Sequence, residues 1–377
     1  MRQFKTHPHE SQYVQTKINT VILPRQFLLS QMTQDELYMH RCLQLAEKGR
    51  GTVAPNPMVG AVLLHDGKII GEGWTQPYGE VHAEVNCIAQ VQEKDEKHIA
   101  KSTLYVSLEP CSHFGKTPPC VDLIIAKQIP KVIIGCKDTA HHVNGQGIEK
   151  LLKAGIDVTV GVLEKECIDF NKRFFTFQQK KRPFIILKWS QSADGFIAEK
   201  GKRTKITSEE IDVIVHKWRT EEAGIMIGTN TASIDDPNLI ATLWTGKQPI
   251  RIVIDKKLLI DGTAKLYNQV ATTIFLNGKL DEKNGENFFL KINSDGNHFL
   301  VESLERIYEL GILSILVEGG SQLLNSFISQ NLWDEARVII NDNLLLKDGM
   351  KAPGLPNVVT SQENEFADHT IKIYENK

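Results

Sequence analysis

At 377 residues the chain exceeds what one hydrophobic core ordinarily organises, and a composition 41% hydrophobic and 24% charged excludes a disordered or collagen-like polymer. Lys+Arg number 44 against 46 Asp+Glu, a formal charge of −2 that gives no general basic surface for holding nucleic acid. No apolar run approaches the roughly 20 residues that a membrane-spanning helix needs. Residues 1–31 set Arg2, Lys5, Lys17 and Arg25 against a single acid, Glu10, and lack sustained periodicity. They read as an extension; an organelle transit segment is the other reading. Pro24 stops Val21-Ile22-Leu23, so there is no apolar signal-peptide core.

The first convincing element opens at Thr33, which forms a capping-box pattern with Glu36, and Met39, Cys42, Leu43 and Ala46 continue it at helical spacing to Gly49. Val59–Leu64 and Ile69–Gly73 read as a hairpin around Asp66-Gly67. A helix through Val85, Ile88 and Ala89, a strand Thr103–Leu108, a helix through Val121, Ile124 and Ile125, and a strand Lys131–Cys136 follow. Gly147–Ala154 is a helix and Ile156–Val162 a strand, which closes one α/β domain over 32–177.

Lys180-Lys181-Arg182, ended by Pro183, marks the joint to a second domain over 182–377. That domain opens with strand Phe184–Trp189 and a capping box from Thr207 to Glu210. Ile211, Ile214, Val215 and Trp218 then line one helix face. Strands at Ile225–Gly228, Ile250–Asp255, Ala271–Leu276 and Ser314–Glu318, with helices on either side of the last, predict a mostly parallel sheet.

The six cysteines (42, 87, 111, 120, 136 and 167) all lie in the first half, which fits metal or thiol chemistry in a reducing, cytoplasmic setting. Two of them stand in Pro110-Cys111 and Pro119-Cys120, and His82-Ala83-Glu84 precedes both. The His and the second Cys fall where helices begin, and free N–H groups there favour thiolate. Two thiolates and an imidazole suit one Zn²⁺ per chain and leave a fourth position for water, whose pKa drops to about 7 on the metal. Glu84, two residues from His82, can relay the water proton to a departing amine. H-x-E with P-C-x-x-C is the zinc nucleobase deaminase pattern, although here eight residues (112–119) separate the cysteines. A closed structural zinc site, with His113 as fourth ligand, is the competing reading. Cys42, Cys87, Cys136 and Cys167 sit in apolar patterns or lack metal spacing and read as structural.

At these residues the chain resembles the bifunctional riboflavin-biosynthesis family, a pyrimidine deaminase fused to a pyrimidine reductase. The long cysteine spacing with Thr117-Pro118-Pro119 carries the likeness, together with Pro55-Asn56-Pro57-x-Val59-Gly60, Glu109-Pro110-Cys111-Ser112-His113, Val143-x-Gly145-x-Gly147 and Asn171-Lys172-x-Phe174. It implies a cytidine-deaminase-like three-layer α/β domain in which Asn56 hydrogen-bonds the substrate ring; an ordinary Pro-Asn-Pro turn is the plain reading of that residue.

The likeness continues through Leu187-Lys188-x-x-x-Ser192-x-Asp194-Gly195, Ile206-Thr207-Ser208, Arg219, Gly228-x-x-Thr231, Asp235-Asp236-Pro237-x-Leu239 and Val317-Glu318-Gly319-Gly320. It implies a dihydrofolate-reductase-like α/β domain. Ser190, Lys205, Thr231, Asp235, Gly320, Ser321 and Gln322 are then expected to contact NADPH. Lys188, Arg203, Arg219, Leu239 and Glu318 are expected to contact a sugar phosphate, with Lys188 and Glu318 catalytic. From the residues alone, Gly319-Gly320 ends a strand and opens a helix whose N–H groups could cradle a pyrophosphate. Arg219 at a helix end reads as a solvated charge. Phe196, Lys205 and Thr242 depart from the family's usual residues.

The resemblance thus implies zinc-dependent deamination of a diaminopyrimidinone ribosylamine 5′-phosphate, then NADPH-dependent reduction of its ribosyl to a ribityl chain. A homo-oligomer is expected, with no nucleic-acid or membrane partner. The alternative is a deaminase alone, with a degenerate second half that binds nucleotide or serves as a scaffold.

Overall fold

A computed structural model of the protein describes residues 32–115, 118–138, 145–199, 204–296, 298–356 and 358–376. The extension 1–31, the expected substrate residue Arg203, and Thr117 and Val143 of the motifs lie outside these. No helix among the described residues is long and apolar enough to cross a membrane.

The first half forms a five-stranded sheet of β1 (Gly60–His65), β2 (Lys68–Trp74), β3 (Thr103–Leu108), β4 (Lys131–Cys136) and β5 (Asp157–Val160) in the order β2-β1-β3-β4-β5. β1 is antiparallel to both neighbours, while β3, β4 and β5 are parallel. Around it lie helices α1 (Gln34–Ala46), α2 (Ala83–Ala89), α3 (Cys120–Ala126), α4 (Gln146–Lys153), α5 (Glu164–Phe170) and α6 (Lys172–Lys180). The Thr33–Glu36 capping box is present, and Met39, Cys42 and Leu45 face the core with Leu63, Val106, Ile124 and Ile134. α2 lies directly on β2: a Cβ at Gly73 would stand 2.2 Å from Cys87 N and 2.5 Å from the Ala83 carbonyl. Only glycine permits this approach, and it fixes the helix that follows His82. Cys42, Cys87, Cys136 and Cys167 are buried and structural, as their apolar settings imply.

The second half is built on a ten-stranded sheet. Its strands are β6 (Phe184–Ser192), β8 (Gly224–Gly228), β9 (Ile250–Ile254), β10 (Thr273–Asn277), β11 (Glu282–Asn284), β12 (Asn287–Lys291), β13 (Ser314–Val317), β14 (Glu335–Asn341), β16 (Val358–Phe366) and β17 (His369–Asn376). The order is β11-β12-β10-β9-β8-β13-β6-β14-β17-β16, while β7 (Phe196–Ala198) and β15 (Met350–Lys351) pair separately. From β12 to β14 every pair is parallel; β11 on one side and β17-β16 on the other are antiparallel additions. The helices are α7 (Glu209–Glu221), α8 (Thr229–Asp235), α9 (His298–Glu309) and α10 (Ser321–Ser329).

Two expectations shift. The N-cap of α7 is Ser208, whose Oγ accepts from Ile211 N–H, and not Thr207, whose hydroxyl is drawn to Asp212. The joint is also no free linker. Residue 177 falls inside α6, and Lys180 and Arg182 both bind the buried Asp334, at 2.8 and 2.5 Å.

Candidate active sites

Three loops meet at one edge of the first sheet. Gly60 pairs with Trp74 and Ala61 with Val106, so the segment entering β1 (54–59) lies beside those leaving β2 (75–82) and β3 (109–111). Gly60 N–H donates to Ser107 Oγ at 3.1 Å and Thr75 N–H to the Val59 carbonyl at 2.9 Å, which pins the convergence. These segments carry Asn56, His82 and Cys111.

His82 is the N-cap of α2 and Cys120 the first residue of α3. His82 Nδ1 stands 3.5 Å from Cys111 Sγ and 3.4 Å from Cys120 Sγ, and all three ligand atoms lie within 4.8 Å of one another. Zinc bonds of about 2.3 Å to sulfur and about 2.05 Å to nitrogen, at a tetrahedral angle, separate S from N by about 3.6 Å. The trio therefore fits zinc. Among the described residues no fourth His, Cys or acid, His113 included, joins the group, as a catalytic site requires. Cys120 N–H donates to Cys111 Sγ at 3.3 Å. A hydrogen bond between the two thiols first, and then His82, hold the Cys111 thiol well below its ordinary range, while the same thiol–thiol bond pushes Cys120 up.

Glu84, in the first turn of α2, is only 4% exposed. Burial first, and the charge of Cys111 second, push its carboxyl up to about 7. Among the described residues Ser112 Oγ and Asn86 Oδ1, both close in sequence to the ligands, are buried without hydrogen-bond partners, a cost of about 1–3 kcal/mol each. Behind Cys111, the buried Glu109 accepts N–H bonds from Asp138, Gly145, Gly147 and Ile148 at 2.9–3.3 Å. Glu109 and Gly147 were legible only as motif letters. Their function is to lock the start of α4 against the Pro110-Cys111 turn.

The second half holds a cleft of about 1220 Å³ at the ends of β6, β8, β9 and β13. Ser190, Lys205, Thr231, Asp235, Gly320, Ser321 and Gln322, spread over 132 positions of sequence, all line it, as do Lys188 and Glu318. Gly320, the N-cap of α10, donates its N–H to Thr231 Oγ1 at 3.0 Å, which ties the start of that helix to α8. Among the described residues Ser190 Oγ is buried without a hydrogen-bond partner, and Ser190 lines this space, a setting that suits a polar ligand such as a dinucleotide. Lys205 is mostly exposed and lies 3.3 Å from Asp212. Asp255, missed in the sequence, is fully buried at the cleft wall and accepts from Leu259 and Ile260 N–H at 3.0 Å each.

Arg219 is not the solvated charge its helix-end position implied. Its Nε and Nη2 donate to the two oxygens of Glu318 at 2.9 and 2.8 Å, and its Nη1 to the Ile240 carbonyl at 3.2 Å. Lys188 Nζ lies 3.8 Å from Glu318. Against burial, which pushes it up, Arg219 and then Lys188 hold the Glu318 carboxyl down to about 2; burial pushes the Lys188 amine down. Leu239 packs in the core with Ile225, Val253 and Phe275 and does not line the cleft.

Known proteins match both halves. Residues 32–136 match the "Cytidine and deoxycytidylate deaminase zinc-binding region" family and residues 183–354 the "RibD C-terminal domain" family. The chain is 39% identical to the riboflavin biosynthesis protein RibD of Aquifex aeolicus, over 82% of this chain and 88% of that one, and 36% identical to RibD of Bacillus amyloliquefaciens, over 85% and 87%. A solved Thermotoga maritima structure, a diaminohydroxyphosphoribosylaminopyrimidine deaminase/5-amino-6-(5-phosphoribosylamino)uracil reductase, superposes with a TM-score of 0.83 at 32% identity over 91% and 99% of the two chains. With that identity over most of both lengths, and with a zinc-binding trio and a nucleotide-sized cleft in the two matching halves, the chain belongs to the RibD family of riboflavin-biosynthesis enzymes.

Proposed function

We propose that this chain deaminates a pyrimidine ribosylamine phosphate in its first half (32–177) and reduces the product's ribosyl group in its second (182–377), using zinc and NADPH. The observation that carries the reading is the trio His82, Cys111 and Cys120 with the buried Glu84 beside it, on a chain whose other half has a cleft lined by every described residue expected at a cofactor. His82, Cys111 and Cys120 would hold the zinc, which when bound would acidify a water for attack on the ring carbon. Glu84 would carry that water's two protons in turn, the first to the ring nitrogen and the second to the amino group, which leaves as ammonia. Asn56 orients the pyrimidine.

In the second cleft, Ser190, Lys205, Thr231, Asp235 and Gly320-Ser321-Gln322 would hold NADPH, which when bound would supply hydride to C1 of the ring-opened ribose imine. Lys188 and Glu318 orient the hydroxyls. Arg219 fixes Glu318 in place and keeps it ionised; its side chain acts on the substrate through that carboxylate. Arg203 or Lys202 supplies positive charge for the phosphate. A deaminase with a degenerate second half is not favoured, because the family match and the cleft both extend through that half. The reading includes a cytoplasmic homo-oligomer, and a net charge of −2 gives nucleic acid no electrostatic hold.

The test follows two signals on the full chain. Chelation of zinc should stop ammonia release while leaving NADPH oxidation by the deaminated intermediate intact. Full ammonia release after metal removal, or no NADPH oxidation at all, would sink one activity or the other.

A further inference from the structure

We infer that Asn171 is a positioning residue for the deamination site, and that through it the second half of the chain sets the loop that holds the pyrimidine. The inference rests on the reading that Asn56 contacts the substrate ring.

Asn171 is 2% exposed. Its Oδ1 accepts from Met58 N–H and its Nδ2 donates to the Met58 carbonyl, both at 2.9 Å. An amide side chain here pairs with a peptide unit as a neighbouring strand would, gripping both polar groups of one residue from 113 positions away. Met58 is two residues from Asn56, in the 54–59 segment that enters the sheet beside Cys111. This segment is a loop, so its backbone has no ladder to hold it, and an external clamp of this kind decides where it sits.

The two residues after Asn171 are committed elsewhere. Lys172 Nζ lies 2.5 Å from Glu335 on β14. Arg173 forks onto both oxygens of Glu222, at 2.7 and 2.5 Å, just past the end of α7. Arg337 closes the group with 3.3 Å to Glu222 and 2.7 Å to Glu335. The side chains of Glu222, Glu335 and Arg337 are 0%, 4% and 6% exposed, so the centre of the ionic group is shielded from water, with Lys172 at its more open end. Gly51, at the start of the same loop region, approaches the Thr220 carbonyl of α7, where a Cβ would stand 3.0 Å away. Thus one short stretch grips the substrate loop with its first residue and the second half of the chain with the next two. α7 also carries Arg219, the partner of Glu318 in the reductase cleft.

The test measures steady-state ammonia release by the zinc-loaded full chain. Asn171→Ala should raise KM about tenfold or more with kcat changed less than about threefold, since a loop displaced by about 1 Å loses orientation while the proton relay stays intact. Zinc content, and reduction of the deaminated intermediate, should be unchanged. Asn171→Asp keeps the volume and the acceptor but sets a carboxylate against the Met58 carbonyl, and should move KM the same way. Arg173→Ala should do so more weakly. Asn56→Ala should raise KM by itself, and the double variant Asn56→Ala/Asn171→Ala should be no worse than the poorer single one, because both act through one loop.

If Asn56→Ala is silent, the underlying substrate reading fails. If Asn56→Ala raises KM while Asn171→Ala stays within about twofold of wild type, the inference fails and the reading stands. Additive effects in the double variant, or parallel loss of zinc and reductase activity in Asn171→Ala, also overturn it. A silent Arg173→Ala removes the role of the second half.

Discussion

Glu84 shows how a single residue's environment can matter more than its type. A carboxyl at the first turn of a helix is ordinarily ionised and favoured by the dipole. Here it is buried beside His82 and the two sulfurs, and burial outweighs the helix terminus. Burial thus moves the carboxyl upward, toward the range that suits a group that both takes and gives a proton. Glu84→Gln keeps the shape and removes the proton exchange. Ammonia release should fall by about 10²–10⁴-fold, while metal analysis finds zinc unchanged because His82, Cys111 and Cys120 are intact. A variant that loses zinc, or keeps the rate, would contradict this role. Glu318 is the opposite case: its side chain, 10% exposed, is held ionised by the fork of Arg219.

At the scale of elements, the zinc ligands depend on how closely α4 lies against the Pro110-Cys111 turn. Gly147, in the first turn of α4, leaves no room for a side chain, since its Cβ would stand 2.2 Å from the Pro110 carbonyl. The only ways to accommodate a methyl are to move α4 or to move the turn bearing Cys111, and Glu109 ties the two together. Gly147→Ala should cost about 1–3 kcal/mol of stability, measured by denaturant unfolding, and should weaken zinc retention against a chelator. Reduction of the deaminated intermediate, which uses other elements, should persist. Unaltered zinc retention would mean that the turn is held by something else.

For the whole molecule, the ionic group that joins the halves makes stability depend on acidity. Burial opposes ionisation of Glu335, yet Arg337 and then Lys172 hold it down to about 2; Glu222 is likewise lowered, against burial, by Arg173 and Arg337. In the unfolded chain these carboxyls titrate near about 4.3. Their folded values lie below that, so the contribution is whole above about pH 4.3 and is lost as pH falls toward about 2. Melting temperature should drop across that window. Glu222→Ala, which leaves Arg173 buried without its carboxylate and Arg337 with Glu335 alone, should cost about 3–5 kcal/mol at neutral pH. By contrast Glu149→Ala, which removes an exposed pair with Lys153, should leave the melting temperature unmoved. An acid profile that is flat through the window would show that the halves are held by packing alone.

What the sequence determined by itself was whatever local pattern and side-chain chemistry specify. The capping box at Thr33, the Asp66-Gly67 hairpin and strand Lys131–Cys136 all appear as read, because each is encoded within a few neighbouring residues. The zinc trio was legible too, since few functions call for a His and a Cys at helix starts with a second Cys in the turn after a strand. β14 was not legible, because Glu335 and Arg337 break its apolar run and are buried only by pairing with Lys172 and Glu222 far along the chain. β16 was hidden as well, since an exposed edge strand needs no apolar alternation. The bond of Arg219 to Glu318 and the grip of Asn171 on Met58 link residues 99 and 113 positions apart. A hydrogen bond across such a distance leaves no periodicity in the sequence; only the folded backbone, by bringing the partners together, decides it.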